Sequence, residues 1–181
     1  SPVAERSGFF GQAALGLGHY STTASAGGYD TNFSGFTIAT SILLGGSIMP
    51  ELVVGGGLLL DRAASPKVKV NGTEVTSGAM ADVSQYVLGL MLFGDYYLPM
   101  VEGLHVQGQF GWGGLETSYK GDAGGSDPTG LILSVGCGYE WPIMPELTVG
   151  VLGRITYGMF SMNDIGYGTL APAIVGTATY Y

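Results

Sequence analysis

Along most of the chain, apolar side chains alternate with small or polar ones at a spacing of two. This is the period of a strand, whose successive side chains leave opposite faces. Leu104, Val106, Gly108, Phe110 and Trp112 share one phase, against His105, Gln107, Gln109, Gly111 and Gly113 on the other. Leu131, Leu133, Val135, Cys137, Tyr139 and Trp141 alternate in the same way with Ile132, Ser134, Gly136, Gly138 and Glu140. Residues 85–96 and 147–157 repeat the pattern, giving one nearly wholly apolar face and one small, polar or mixed. Eight strands are predicted, over 8–19, 34–48, 52–62, 83–98, 104–116, 130–143, 147–160 and 169–181. No apolar run approaches the 18 or so residues of a membrane-spanning helix.

An internal repeat marks the turns. Ile48-Met49-Pro50-Glu51-Leu52 recurs as Ile143-Met144-Pro145-Glu146-Leu147, with a looser copy from Leu98 to Gly108. Proline fixes φ and supplies no ladder donor, so each copy reads as a short turn between two strands. The segments near 20–33, 63–82, 117–129 and 161–168 are rich in Gly, Ser, Thr, Asn and Asp and are predicted to be longer loops. Short turns at one end and long loops at the other suit an outer-membrane barrel, whose strands of about ten residues cross a bilayer when tilted.

Composition narrows the class. The 181 residues include 33 glycines and only 20 charged residues, 14 acidic and 6 basic, for a net charge of −8. So much glycine opposes a helical fold, and 11% charge is too little to cover an ordinary wet surface. Six scattered basic residues do not make a nucleic-acid face. The opening residues lack the basic and apolar segments of a secretory leader, so either a cytoplasmic chain or a mature, processed form is expected.

Charge placement sets the orientation. Asp61, Asp95, Glu140 and Arg154 all fall on the mixed phase of their strands, and the other charges lie in turns, loops or their margins. A charge facing lipid at mid-depth costs about 2–4 kcal/mol for Lys or Arg, so the uncharged apolar face points outward. Tyr86, Tyr96, Trp112, Tyr139, Trp141 and Tyr157 lie on that face and form the expected aromatic girdle, since amphipathic rings suit headgroup depth. Glycines on the inner phase leave room in a narrow lumen.

These features together resemble the small eight-stranded outer-membrane β-barrel superfamily, the OmpA-, OmpX- and OmpW-like transmembrane domains. The resemblance implies an all-β, antiparallel, up-and-down transmembrane barrel as a single domain over 1–181. It places the barrel in a Gram-negative outer membrane, with loops extracellular and termini periplasmic. Gly176 and Tyr181 match the superfamily's C-terminal assembly signal, with Thr179 and Ile174 departing from its usual pattern. Outer-membrane lipid, lipopolysaccharide and the barrel assembly machinery are the implied partners of a monomer; no nucleic-acid partner is expected. The facing of the last strand stays open, because either phase of 172–181 can be read as outward.

Candidate chemistry lies on the inner phase. Asp95, His105, Gln107, Gln109, Glu140 and Arg154, with Gln12 and with Asp61 near the mouth, form the expected polar set. Arg154 needs an acidic partner, and strand order favours Glu140 or Asp95. Such a set is either a charged constriction or a plug of mutually satisfied groups, and the plug is favoured because eight strands leave a lumen that side chains fill. Leu43, Val53, Leu59, Val87, Met91, Phe93, Ile132 and Leu152 share the inner phase and either pack or line a narrow tunnel for apolar solutes. His19 and Ser21 share a face at the end of the first strand, resembling the His/Ser pair of outer-membrane lipid deacylases, but a serine nucleophile also needs an orienting acid and none is evident. No enzyme, cofactor or metal site is therefore expected; Asp122 and Asp127 lack calcium-loop spacing, and a lone Cys137 forms no internal disulfide.

Overall fold

The computed structural model describes residues 8–26, 29–64, 67–70, 73–74, 84–118, 128–163 and 165–181. Its strands are β1 (Phe9–Ala26), β2 (Tyr29–Met49), β3 (Leu52–Ala64), β4 (Lys67–Val70), β5 (Thr73–Glu74), β6 (Ser84–Tyr97), β7 (Leu104–Ser118), β8 (Thr129–Met144), β9 (Leu147–Met162) and β10 (Ile165–Tyr180). Eight of them, all but β4 and β5, pair antiparallel with their chain neighbours, and β1 also pairs β10, so the sheet closes. Closure removes both sheet edges, which is what permits strands to cross a medium that offers backbone groups no water.

The sequence repeat is also a structural repeat. Pro50–Glu51 and Pro145–Glu146 form two-residue turns, each preceded by a register shift, between Ser47 and Met49 and between Pro142 and Met144. The extra residue, Ile48 or Ile143, is a bulge that ends the regular ladder just before the turn. The looser copy forms a longer turn containing Gly103 at φ +84°, where a Cβ would also lie 2.3 Å from the Glu140 carbonyl oxygen. Only glycine suits both demands.

At the opposite end the strands run further than the alternation predicts. β1 and β2 stay paired up to Ala26 and Tyr29, so the predicted 20–33 loop is mostly a strand hairpin. β9 and β10 likewise pair up to Met162 and Ile165, replacing the predicted 161–168 loop with a tight turn at Asn163, whose φ is 48°. Thr, Ser and Gly in these stretches read as loop residues, but continuous ladders to neighbours override local propensity. Within the predicted 63–82 loop, β4 pairs with β2 at Thr31–Ser34, and β5 pairs with β4. The candidates Asp122 and Asp127 lie outside the described residues.

Burial follows the predicted phases. Leu90, Leu92, Phe110, Val135 and Ile155 face outward, while Met91, Gln109, Ser134 and Thr156 are buried inside. The last strand is now settled: Ile174, Gly176, Ala178 and Tyr180 point outward and Ala173, Val175, Thr177 and Thr179 inward. Pro172 lies mid-strand, not near the rim. It opposes Ile155 of β9, and on its other side the β1 ladder skips His19 and Tyr20, as expected where no N–H can be donated. An outward face this apolar needs lipid or detergent. Unboiled protein should run on gels as a compact band that shifts on heating, and it should stay dispersed only with detergent present; solubility without detergent would refute the membrane assignment.

Candidate functional site

Among the described residues the lumen is occupied by inward side chains that are almost all buried, and their polar groups converge on two acidic centres near the short-turn end. The first is Glu140 of β8. Its carboxylate accepts hydrogen bonds from Tyr181 at 2.6 Å, Thr179 at 2.7 Å and Thr148 at 2.9 Å, with Tyr97 and Gln12 at 3.4 and 3.5 Å. The second is Asp95 of β6, which receives His105 Nδ1 at 2.7 Å and Gln107 Nε2 at 2.9 Å. Gln12 joins the two centres by accepting from Gln107 at 2.9 Å and donating to Thr179 at 3.1 Å. Gln109 extends the chain by donating to Gln107 Oε1 at 2.8 Å. Alternation aims each of these side chains inward. Tyr97 stacks on the His105 ring, with centroids 5.1 Å apart and planes inclined by 11°. Gly138 makes room for that imidazole, since a Cβ there would lie 2.5 Å from Nε2.

Arg154 forms a separate centre. It reaches across the lumen from β9 to Asp61 of β3 at 2.5 Å and to Ser41 of β2 at 3.1 Å. The expected partners, Glu140 and Asp95, are engaged elsewhere. Strand order misled here because it counts neighbours along the sheet, whereas a long side chain in a narrow lumen touches the opposite wall. Asp61 is correspondingly a buried wall residue and not one at the mouth. Three apolar layers separate and cap these groups. Phe10, Leu43, Val53, Phe93 and Tyr97 close the short-turn end, with Tyr181 packed against them. Ala14, Ala39, Leu152, Ala173 and Val175 form a middle layer. The third layer, which includes Tyr20, Leu59, Met91, Leu115, Ile132 and Phe160, lies towards the far end.

Solved structures share the barrel fold. Neisserial surface protein A superposes with a TM-score of 0.53 at 19% identity, over 97% of this chain and 98% of that one. OprG, an outer-membrane protein of Pseudomonas aeruginosa, gives 0.53 at 12% identity, over 98% of each chain. The outer-membrane protease OmpT of Escherichia coli gives 0.50 at 10% identity, over 97% of each. The fold is that of the outer-membrane β-barrels. No family model matches the chain, and no curated protein matches it by sequence. Likeness at these identities carries the outer-membrane barrel fold and no activity.

Within this barrel, the polar set read from the sequence assembles only in part. Asp95, His105, Gln107, Gln109, Glu140 and Gln12 form one connected network, while Arg154 stands apart with Asp61. Thr148, Thr179, Tyr97 and Tyr181 were not foreseen as members. Inward phase marks the two threonines, but only the register tells which carboxylate they meet. Tyr181, matched to the assembly signal, turns its hydroxyl into the lumen, and Tyr180 takes the outward position; Gly176 faces outward. Tyr96, Trp112, Tyr139, Trp141 and Tyr157 are exposed on the outer face, and Tyr86 is half-buried there beneath Arg62. His19 is exposed on the outer face opposite Phe36, and Cys137 is exposed on the same side of the wall. Among the described residues no cluster of three His, Cys, Asp or Glu suits a metal ion.

Removing one partner of a buried pair leaves an uncompensated charge, at a cost of about 3–5 kcal/mol. Asp61→Ala should lower the barrel's unfolding free energy by that order in urea titrations on lipid vesicles, and adding Arg154→Met should recover most of the loss. Overfilling a packed lumen costs about 1–3 kcal/mol. Gly138→Val should show a loss in that range, and the His105→Ala background should suppress it.

Proposed function

We propose that this chain is a non-conducting, non-enzymatic barrel of the Gram-negative outer membrane that acts through its far end. The observation that carries the reading is the filled lumen. Among the described residues the inward side chains of the eight barrel strands are almost all buried, and apolar layers lie towards both ends of a hydrogen-bonded interior. A solute path would require the Glu140 and Asp95 networks and the Arg154–Asp61 pair to separate together. In this reading the short Pro–Glu turns face the periplasm. The β1–β2 hairpin and the β4–β5 segment lie at the opposite end, face outward and meet partners. Monomeric insertion through the barrel assembly machinery suits a closed sheet with no free barrel edge. The exposed His19, set among outward apolar residues, gives no support to a lipid hydrolase.

Planar-bilayer recording tests the reading. The protein should insert without discrete conductance steps, and Asp61→Ala with Arg154→Ala should raise leakage above the wild-type trace. Steady unitary conductance in the wild type, altered by Arg154→Ala alone, would instead establish a narrow conduit.

A further inference from the structure

The repeat that marks the turns extends through the whole barrel wall. Gly8, Gln12, Gly16 and Gly18, in and just before β1, recur at the same spacing as Gly103, Gln107, Gly111 and Gly113 at β7. That spacing also carries β2 and β3 onto β8 and β9, bulges included. It shortens at the last strand of each half, because the β9–β10 turn is tighter than the connection from β3 to β6. Tyr96-Tyr97 at the end of β6 returns there as Tyr180-Tyr181 at the end of β10. Backbone geometry and register follow the sequence. Gly8 and Gly103 both have positive φ, 115° and 84°. Gln107 pairs with Asp95 of β6, and Gln12 pairs with Thr179 at the counterpart position of β10. The β7–β8 ladder alone departs, slipped by two residues relative to β1–β2, which leaves every side chain on its own face.

In the closed ring each strand lies directly across the lumen from its counterpart. Parts related by a two-fold touch their own counterparts only on the axis. Gln107 donates to Gln12 at 2.9 Å, and the Tyr97 and Tyr181 hydroxyls lie 2.7 Å apart. Off the axis, contacts come in matching pairs. Tyr97 stacks on His105 and Tyr181 meets Phe10, with centroids 5.1 and 5.7 Å apart.

Charge breaks this symmetry. Among the described residues, the inward charges of the first half are Asp61 and Asp95, while the second half supplies His105, Glu140 and Arg154. The counterparts, in the same order, are Thr156, Thr179, Phe10, Gly45 and Leu59, all uncharged. Both acid–base contacts of the lumen, Asp61 with Arg154 and Asp95 with His105, cross from one half to the other. Two copies of the first half closed on each other would bury four aspartates with no base among the described residues. Two copies of the second would leave both Arg154 and both His105 side chains without an aspartate. Either lumen would hold buried charge without a partner, which is strongly unfavourable.

We propose that the barrel is two copies of one four-stranded unit joined at the turn before β7, and that these two acid–base pairs make the first unit close on the second instead of on its own copy from another chain. The choice matters before closure, when both units present similar edges and similar inward faces to any neighbouring chain.

A disulfide distinguishes the two pairings. Gly11 now faces Tyr180, and Tyr96 faces Val106, on opposite sides of the barrel. A first unit paired with its own copy would instead set Gly11 of one chain against Tyr96 of the other. Directly opposed residues of an antiparallel pair have Cα atoms about 4.5–5.5 Å apart, within disulfide reach. Gly11→Cys with Tyr96→Cys, in a Cys137→Ser background, is refolded from urea into lipid vesicles at high protein-to-lipid ratio under mild oxidation. With the natural lumen charges the chains should stay monomeric on non-reducing gels. Giving each paired position its counterpart's residue (Asp61→Thr, Arg154→Leu, Asp95→Thr and His105→Phe) should raise the linked, heat-shiftable dimer at least about fivefold. If that chain does not fold, Asp61→Thr with Arg154→Leu alone is scored in the same way, since a buried ion pair exchanged as a pair is commonly tolerated. A folded, charge-exchanged barrel that forms no more dimer than the charged one would overturn the proposal. Dimer that forms equally well with Gly11→Cys or Tyr96→Cys alone is a surface collision and would overturn it too.

Discussion

Everything in this structure depends on one requirement: a backbone in hydrocarbon must pair all of its N–H and C=O groups within the protein. The pairing of β1 with β10 meets it by removing the last two edges. Once eight strands are closed, the lumen is too narrow for bulk water, so inward polar groups must satisfy one another. The short turns with their bulges set where the ladders stop. The inward glycines then decide which side chains fit, as Gly138 does for His105.

The interior answers this requirement in two ways. Glu140 is surrounded by hydroxyl and amide donors from four other strands or their ends, so its charge is spread over several short bonds. Arg154 and Asp61 instead neutralise each other across the lumen. Buried ion pairs often add little net stability over apolar packing. What the cross-lumen pair adds is specificity, because a one-residue slip of β3 or β9 would turn one partner outward into lipid.

The eight-strand class and the inward and outward phases of the strands before β10 were legible from alternation, because a period of two is a local property of the chain, and the three Pro-marked turns were legible from the internal repeat. The wall positions of Asp95, His105 and Glu140 followed from the same reading. The partner of Arg154 did not, since contact across a lumen depends on tilt and stagger, which no single strand encodes. The strand extensions at 20–33 and 161–168 were hidden by small polar residues that read as loop yet pair well beside a continuing neighbour. The phase of β10 was hidden for another reason. Its inward face carries Thr177 and Thr179 and its outward face Gly176 and Ala178, so hydropathy hardly separates the two.

The chain-spanning seam also bears on how the barrel is made. Gln12 meets Thr179 and Glu140 only when the first strand lies beside the last, at sequence separations of 167 and 128 residues. Contacts of such separation form slowly, because loop-closure entropy must be overcome before they stabilise anything. β1 therefore keeps an unpaired edge until the final strand arrives, and Pro172 withholds one donor from the very ladder that must zip shut. The polar plug is in effect a timing device: its two acidic centres are joined through Gln12 only at closure, so the network from Glu140 to Asp95 is continuous in the finished barrel and in none of its open precursors.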